Sequence, residues 1–215
     1  MVKIDLVTGF LGSGKTTFIK KYARYLMDCG DRICILENDY GAVNVDMLLM
    51  NELRGEKCEL EMVAGGCDYD CHRRRFKTKL ISMAMSGYDR VIVEPSGIFD
   101  VDEFFDTLYE EPLDEWYETG NVIAVVDAAL EEDLSEQSEY LLASQAANAG
   151  QIVLSHVQET TKEQIGATVS HLKKALERVK CSRQSELQVL EKDWDQLTDD
   201  DFREIASDRK STRLN

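Results

Sequence analysis

The sequence has only two prolines in 215 residues, which excludes collagen-like and proline-rich disordered architectures. No apolar run reaches the roughly 18–20 residues that a membrane span needs. Met1-Val2-Lys3-Ile4-Asp5 lacks the basic-then-apolar order of an export signal. The expected location is therefore cytoplasmic, with no membrane partner. Basic residues are missing from one long block: positions 91–161 hold no Lys or Arg and 17 acidic residues. Residues 1–90 carry 14 basic and 13 acidic side chains, and residues 162–215 carry 11 of each. The resulting net charge of −16 argues against nucleic acid as a partner, because phosphate tracking needs a basic surface. Six cysteines in a chain without an export signal read as thiols or metal ligands rather than disulfides.

What is present is an alternation of short apolar runs and helical patterns. Strands are expected at Ile4–Thr8, Arg32–Glu37, Leu60–Val63, Arg90–Glu94, Val122–Asp127 and Gln151–Ser155. Between them the periodicity predicts helices from Lys15 to Cys29, near Arg75 to Met85, and near Ser135 to Asn148. Unbroken Val/Ile runs belong to strands covered on both faces, so the fold class is α/β, a mainly parallel sheet flanked by helices on both faces. Ligands then belong at the carboxyl ends of the strands. Residues 1–180 read as the principal domain. Residues 181–215 read as a C-terminal appendage, truncated or partly non-native at its end, with a strand and a short helix between Glu186 and Ile205. The acidic stretch from Asp100 to Glu118 reads as an amphipathic helix and loop covering the sheet, with a docking surface for a basic client as the alternative.

Gly9-Phe10-Leu11-Gly12-Ser13-Gly14-Lys15-Thr16 fits the phosphate-binding pattern G-x-x-x-x-G-K-[ST], directly after a strand and directly before a helix. In such a loop the glycines let backbone N–H groups converge on phosphate oxygens, and the helix N-terminus adds its positive end. Gly9, Gly12, Ser13, Gly14, Lys15, Thr16 and Thr17 are the expected phosphate contacts, with Lys15 on the β and γ phosphates and Thr16 on Mg²⁺. Val91-Ile92-Val93-Glu94-Pro95-Ser96-Gly97 is an apolar strand ending in an acid and a glycine. Glu94 is expected on Mg²⁺ or the attacking water, and the Gly97 N–H at the γ-phosphate.

The P-loop (9–17), Glu37-Asn38-Asp39-Tyr40-Gly41, Gly65-Gly66-Cys67, Glu94–Gly97 and Val125-Val126-Asp127-Ala128 together resemble the CobW-like P-loop GTPases. These are related to the nickel-insertion GTPases of urease and hydrogenase maturation. The resemblance runs in order over about residues 2–158. It implies a nucleotide hydrolase that changes conformation, often as a dimer, and that handles a transition metal or metallocofactor. It places Asn38–Gly41 in the family's switch I segment, with the Asp39 carboxylate near Mg²⁺ or water; Asp46 falls where the family often has an acid and is assigned no role.

Two departures stand out. The family's Cys-x-Cys-Cys reads here Cys67-Asp68-Tyr69-Asp70-Cys71-His72, so Cys67, Cys71 and His72 are the candidate ligands for Zn²⁺ or another transition metal. The family's base-reading Asn-Lys-x-Asp reads here Ser155-His156-Val157-Gln158. A carboxylate accepts twice from guanine, whereas a Gln amide accepts once and donates once. Ser155, His156 and Gln158 are the candidate base contacts, and ATP stays open beside GTP.

The expected activity is Mg²⁺-dependent hydrolysis of a nucleoside triphosphate, GTP or ATP, in a metallochaperone or cofactor-assembly switch. Lys15, Asp39 and Glu94 form its catalytic set. Expected partners are a client metalloprotein and a second copy in a nucleotide-dependent homodimer. Two other readings use the same loop. One is a small-molecule kinase with Arg73-Arg74-Arg75 as a phosphate lid; the other is a nucleotide-gated activator that transfers no metal.

Overall fold

The computed structural model describes residues 1–39, 45–65, 68–96, 101–131, 133–179 and 188–207. Seven apolar runs form one sheet: β1 (Val2–Thr8), β2 (Ile33–Asp39), β3 (Cys58–Ala64), β4 (Arg90–Pro95), β5 (Tyr117–Asp127), β6 (Gln151–Ser155) and β7 (Val189–Leu190). Their spatial order is β3-β2-β4-β1-β5-β6-β7, and every pairing is parallel. All the carboxyl ends therefore emerge along one edge. The helices are α1 (Lys15–Asp28), α2 (Val45–Met50), α3 (Tyr69–Ala84), α4 (Val101–Leu108), α5 (Leu113–Trp116), α6 (Glu136–Asn148), α7 (Lys162–Arg178) and α8 (Asp199–Ala206).

Strand alternation sends successive side chains to opposite faces. On one face Phe18, Ile19 and Tyr22 of α1 and Phe202 and Ile205 of α8 pack on Val7, Ile33, Ile35, Ile92 and Ile123. On the other, Phe76 and Leu80 of α3 and Phe104 and Phe105 of α4 cover Ile4, Leu6, Leu36, Val91 and Val93. Next to them α6 and α7 cover Ala124, Val126, Ile152 and Leu154. The described part of this stretch, from Val101 on, does cover the sheet, with Val101, Phe104, Phe105 and Leu108 buried.

Some boundaries differ from the sequence expectation. Helix α3 starts at Tyr69, not near Arg75, because Asp68 caps it: the Cys71 N–H donates to Asp68 Oδ1 at 2.8 Å. Strand β5 starts at Tyr117 rather than Val122, since Val2 of β1 pairs with Tyr117, whose hydroxyl donates to the Leu80 carbonyl at 2.7 Å. The described part of the 181–215 segment is built onto the sheet. Its β7 extends β6, and the Phe202 ring of α8 stacks on Tyr25 with centroids 5.5 Å apart. Ser211–Asn215 lie outside the described residues.

A polar knot crosses the interior below the α1 face. Asp5 Oδ2 accepts from Arg90 Nη1 at 2.7 Å and from the Tyr22 hydroxyl at 2.8 Å, while Asp5 Oδ1 accepts from the Asn121 N–H at 2.7 Å. Gly120 is required beside it, because a Cβ there would lie 2.1 Å from Asp5 Oδ1.

Candidate nucleotide site

The loop between β1 and α1 has the backbone that a phosphate cradle needs. Gly9 has φ +149°, and a Cβ on it would sit 2.3 Å from the Val125 carbonyl oxygen. Gly14, with φ 91°, caps α1 without any side-chain hydrogen bond. The first N–H groups of α1 therefore face the cleft without a capping side chain. Lys15 Nζ donates to the carbonyls of Gly9 and Phe10, both at 3.0 Å, so its cation lies along the loop. The buried hydroxyls of Ser13 and Thr8 have no hydrogen-bond partner among the described residues.

Lys15 and Thr16 line a cleft of about 420 Å³ with Gly12, Gly14, Thr17, Glu37, Glu94 and Ser96. The Thr16 hydroxyl donates to Glu94 Oε1 at 3.1 Å, although the two residues are 78 positions apart. Glu94 is buried at the end of β4, and Glu37 of β2 is its register partner and is also buried. Two carboxylates and a hydroxyl beside a phosphate loop are an oxygen donor set that suits Mg²⁺. The sequence reading missed Glu37. Its signal was the period of two: Ile33 and Ile35 face α1, so Glu37 must emerge on that side at the strand end. Gly97 and the Asp39 side chain, both assigned to this site from the sequence, lie outside what is described.

The cysteine segment is arranged differently from a simple ligand loop. Cys67 lies outside the described residues, and Cys71 is half-buried in the first turn of α3. His72 is buried, with Nδ1 3.0 Å from the Gly65 carbonyl oxygen and Nε2 2.7 Å from Asn38 Oδ1. A neutral imidazole has one donor, and Asn38 Nδ2 has no partner as placed. Turning the Asn38 amide over lets Nδ2 donate to His72 Nε2 while Nδ1–H donates to Gly65. With the amide turned, both ring nitrogens are engaged, tying α3 to the ends of β2 and β3. No group of three or more His, Cys, Asp and Glu side chains suited to a metal exists among the described residues. Cys29, Cys34, Cys58 and Cys71 are not in disulfides. Burial pushes the Cys58 thiol up to about 11 and Cys34 higher still.

The arginine run does not reach the phosphate cleft, whose lining contains none of it. Arg73 pairs with Glu110 at 2.5 Å, Arg75 donates to the Ala64 carbonyl at 3.1 Å, and Arg74 donates to the Asp70 carbonyl at 3.2 Å. At the opposite flank, Ser155 ends β6 and is buried, whereas His156 and Gln158 are exposed in the turn that follows. Ser155 and Trp194 both approach Gly14: a Cβ built there would lie 3.5 Å from the Ser155 Cβ and 3.1 Å from the Trp194 ring.

Comparison with known proteins points the same way. Residues 3–185 match the family model described as CobW/HypB/UreG, nucleotide-binding domain. The zinc chaperone YeiR of Escherichia coli is 28% identical over 164 residues, covering 76% of this chain and 49% of that protein. The zinc chaperone YjiA of Escherichia coli is 26% identical over 189 residues, covering 83% of this chain and 54% of that protein. The chain thus spans about half the length of these curated relatives. Among solved structures, the hydrogenase maturation factor HypB from Archaeoglobus fulgidus superposes with a TM-score of 0.57 at 17% identity, covering 95% of this chain and 86% of that one. The Zn(II)-bound YjiA GTPase from Escherichia coli gives a TM-score of 0.50 at 18% identity, covering 80% and 54%. At such identities the structural likeness shows the fold.

Proposed function

Because this chain belongs to the CobW/HypB/UreG nucleotide-binding family, we propose that it binds and hydrolyses a nucleoside triphosphate with Mg²⁺, GTP ahead of ATP, as a switch in metal delivery or metallocofactor assembly. The observation that carries this reading is the convergence of Lys15, Thr16 and Glu94 on one cleft at the carboxyl ends of β1 and β4. The N–H groups of the loop and of the α1 N-terminus hold the phosphates. Lys15 swings from the Gly9 and Phe10 carbonyls to the terminal phosphates. Thr16 and Glu94 would hold Mg²⁺, which supplies charge neutralisation on the phosphate oxygens. Glu37, the second carboxylate of that donor set, would hold Mg²⁺ beside Glu94, and Asp39, at the end of β2, orients the attacking water. Such chemistry needs positioning and charge compensation more than covalent catalysis.

Zinc is the proposed cargo, since the two curated relatives are named zinc chaperones. Cys67 and Cys71 are its proposed thiolates. His72 stands apart from that set, because its ring nitrogens already bind Gly65 and Asn38. Leu11 and Leu49 line the phosphate cleft and are 91% and 53% exposed. They support a nucleotide-dependent homodimer, or a client metalloprotein, docking over this face.

The test is equilibrium titration with a fluorescent GTP analogue. Lys15→Ala should lose triphosphate binding by at least about a hundredfold, and unchanged affinity would sink the P-loop assignment. Metal analysis of purified protein with and without Cys67→Ser and Cys71→Ser tests the cargo site. Equal metal content would leave a nucleotide-gated partner-binding role without metal transfer.

A further inference from the structure

The segment that follows β7 comes back against the phosphate loop. Its turn, Trp194–Gln196, is closed by Asp193, whose side chain accepts from the Asp195 N–H at 3.0 Å and whose carbonyl accepts from the Gln196 N–H at 2.9 Å. The turn is moored on both sides. Before it, Val189 and Leu190 pair with Ile152 and Val153 of β6; after it, Phe202 and Ile205 of α8 are buried on the α1 side of the sheet. Lys21 of α1 donates to Asp195 Oδ1 at 2.8 Å, a third tie.

Held in this way, Trp194 spans the start of α1. Its ring meets the Phe18 ring edge-on, with centroids 5.6 Å apart. The far, six-membered ring of the indole lies against Gly14: Cη2 and Cζ3 would stand 3.1 and 3.4 Å from a Cβ built there. The Gly14 carbonyl accepts from the Phe18 N–H at 3.0 Å, so the indole abuts both ends of the first hydrogen-bonded turn of the helix. Trp194 Nε1 is buried without a hydrogen-bond partner among the described residues, so apolar contact rather than a polar bond sets where the ring sits.

Gly14 needs such a wall. It has φ 91° and no capping side chain, and the loop before it holds two more glycines, Gly9 and Gly12, so this backbone has unusual freedom to lose. Ordering it only when a nucleotide arrives costs binding free energy, whereas a loop already held in place has less to lose. Trp194 is not among the residues that line the phosphate cleft, so its effect passes through Gly14 and Phe18.

We propose that Trp194 is a positioning residue for the phosphate loop: the segment after β7, beyond the residues that match the family model, holds Gly14 in the conformation that turns the loop's N–H groups toward a phosphate. The proposal rests on the nucleotide-binding reading above. Linkage makes the effect mutual, so a bound nucleotide favours the docked indole by the same factor with which the docked indole favours the nucleotide.

Calorimetric titration of the full chain with Mg²⁺-GDP and Mg²⁺-ADP, well below its melting temperature, tests this. There a mere loss of stability leaves the protein folded and its affinity unchanged. Trp194→Leu removes the ring, and Trp194→Phe keeps a ring for Phe18 without the fused one that reaches Gly14. Both should weaken the tighter nucleotide by about tenfold. The second readout is the chain's own emission. It has two tryptophans, and Trp116 packs on the opposite face of the sheet. Saturation with the tighter nucleotide should change the tryptophan emission of the unaltered chain, and that change should vanish in Trp194→Phe. Unchanged affinity in either variant would overturn the proposal. So would an emission change that survives in Trp194→Phe, or none in the unaltered chain. Failure of the unaltered chain to bind either nucleotide would instead remove the nucleotide-binding reading itself.

Discussion

Asp5 is fully buried, and its carboxylate is the hub through which β1, β4, β5 and α1 are joined. Burial and the adjacent carboxylate raise Tyr22 well above the usual tyrosine range, so its hydroxyl remains a donor. Arg90 is nearly as buried, with Asp31 a more distant second partner at 3.8 Å. Removing the carboxylate therefore strands a buried cation rather than merely deleting a bond. Asp5→Ala should cost about 3–5 kcal/mol and lower the melting temperature by about 10 °C or more. Because the ion pair itself gains little over apolar packing, Asp5→Leu with Arg90→Met should recover part of that loss. A thermal melt of the two variants checks this, and equal losses in both would mean that the knot's geometry matters more than its unpaired charge. Neither partner is conspicuous in the sequence: Asp5 interrupts an apolar run, and nothing local says that Arg90 will reach it from a strand 85 positions away.

At the scale of elements, period and caps made some parts readable and not others. Strands β1, β2, β4 and β6 were plain because their Val/Ile runs are continuous, and α1 because Phe18, Ile19, Tyr22, Ala23 and Leu26 share one face. The start of α3 was hidden. Its first turn, Tyr69-Asp70-Cys71-His72, has no apolar stripe, and the residue it buries is a histidine satisfied by Asn38 and Gly65. The P-loop and Glu94 were legible because motif and strand coincide, whereas Glu37 required the register between β2 and β4. Helix α8 also depends on a contact beyond its own sequence. Thr198 and Asp201 form a capping box, and Lys192 donates to Asp201 Oδ2 at 2.5 Å. The lysine bond first, and the Thr198 bonds second, hold the Asp201 carboxyl down to about 2. Since the folded value lies below the ordinary aspartate value of about 3.9, this contribution is fully present above pH about 4 and is lost as pH falls through about 2. The stability difference between the unaltered protein and Asp201→Asn should be constant above pH about 4 and shrink toward zero near pH 2. Urea midpoints measured across that range decide it, and a difference that grows in acid would show that Lys192 holds α8 by other means.

For the whole molecule the net charge of −16 sets how an anionic nucleotide arrives. Many of the cations are already spent on the chain's own acids: Lys20 and Arg24 on Glu52, Lys79 on Glu61, Arg73 and Lys77 on Glu110, Arg178 on Glu139. The block from 91 to 161 adds no Lys or Arg, and it supplies β5 and β6, the strands that follow β1 in the sheet. At a distance the nucleotide therefore meets a repulsive field. Only inside the cleft does it meet Lys15 and the positive end of α1. The two regimes respond differently to salt. The Debye length falls from about 30 Å at 0.01 M to about 10 Å at 0.1 M, so the long-range repulsion is screened while contacts within the cleft are not. Association of a fluorescent Mg²⁺-GDP analogue should accordingly quicken several-fold over that range, with a dissociation rate that barely changes. Stopped-flow traces at graded NaCl measure both. An association rate that instead falls with salt would place the dominant field on the Lys15 side of the sheet and remove the acidic block from the kinetics of loading.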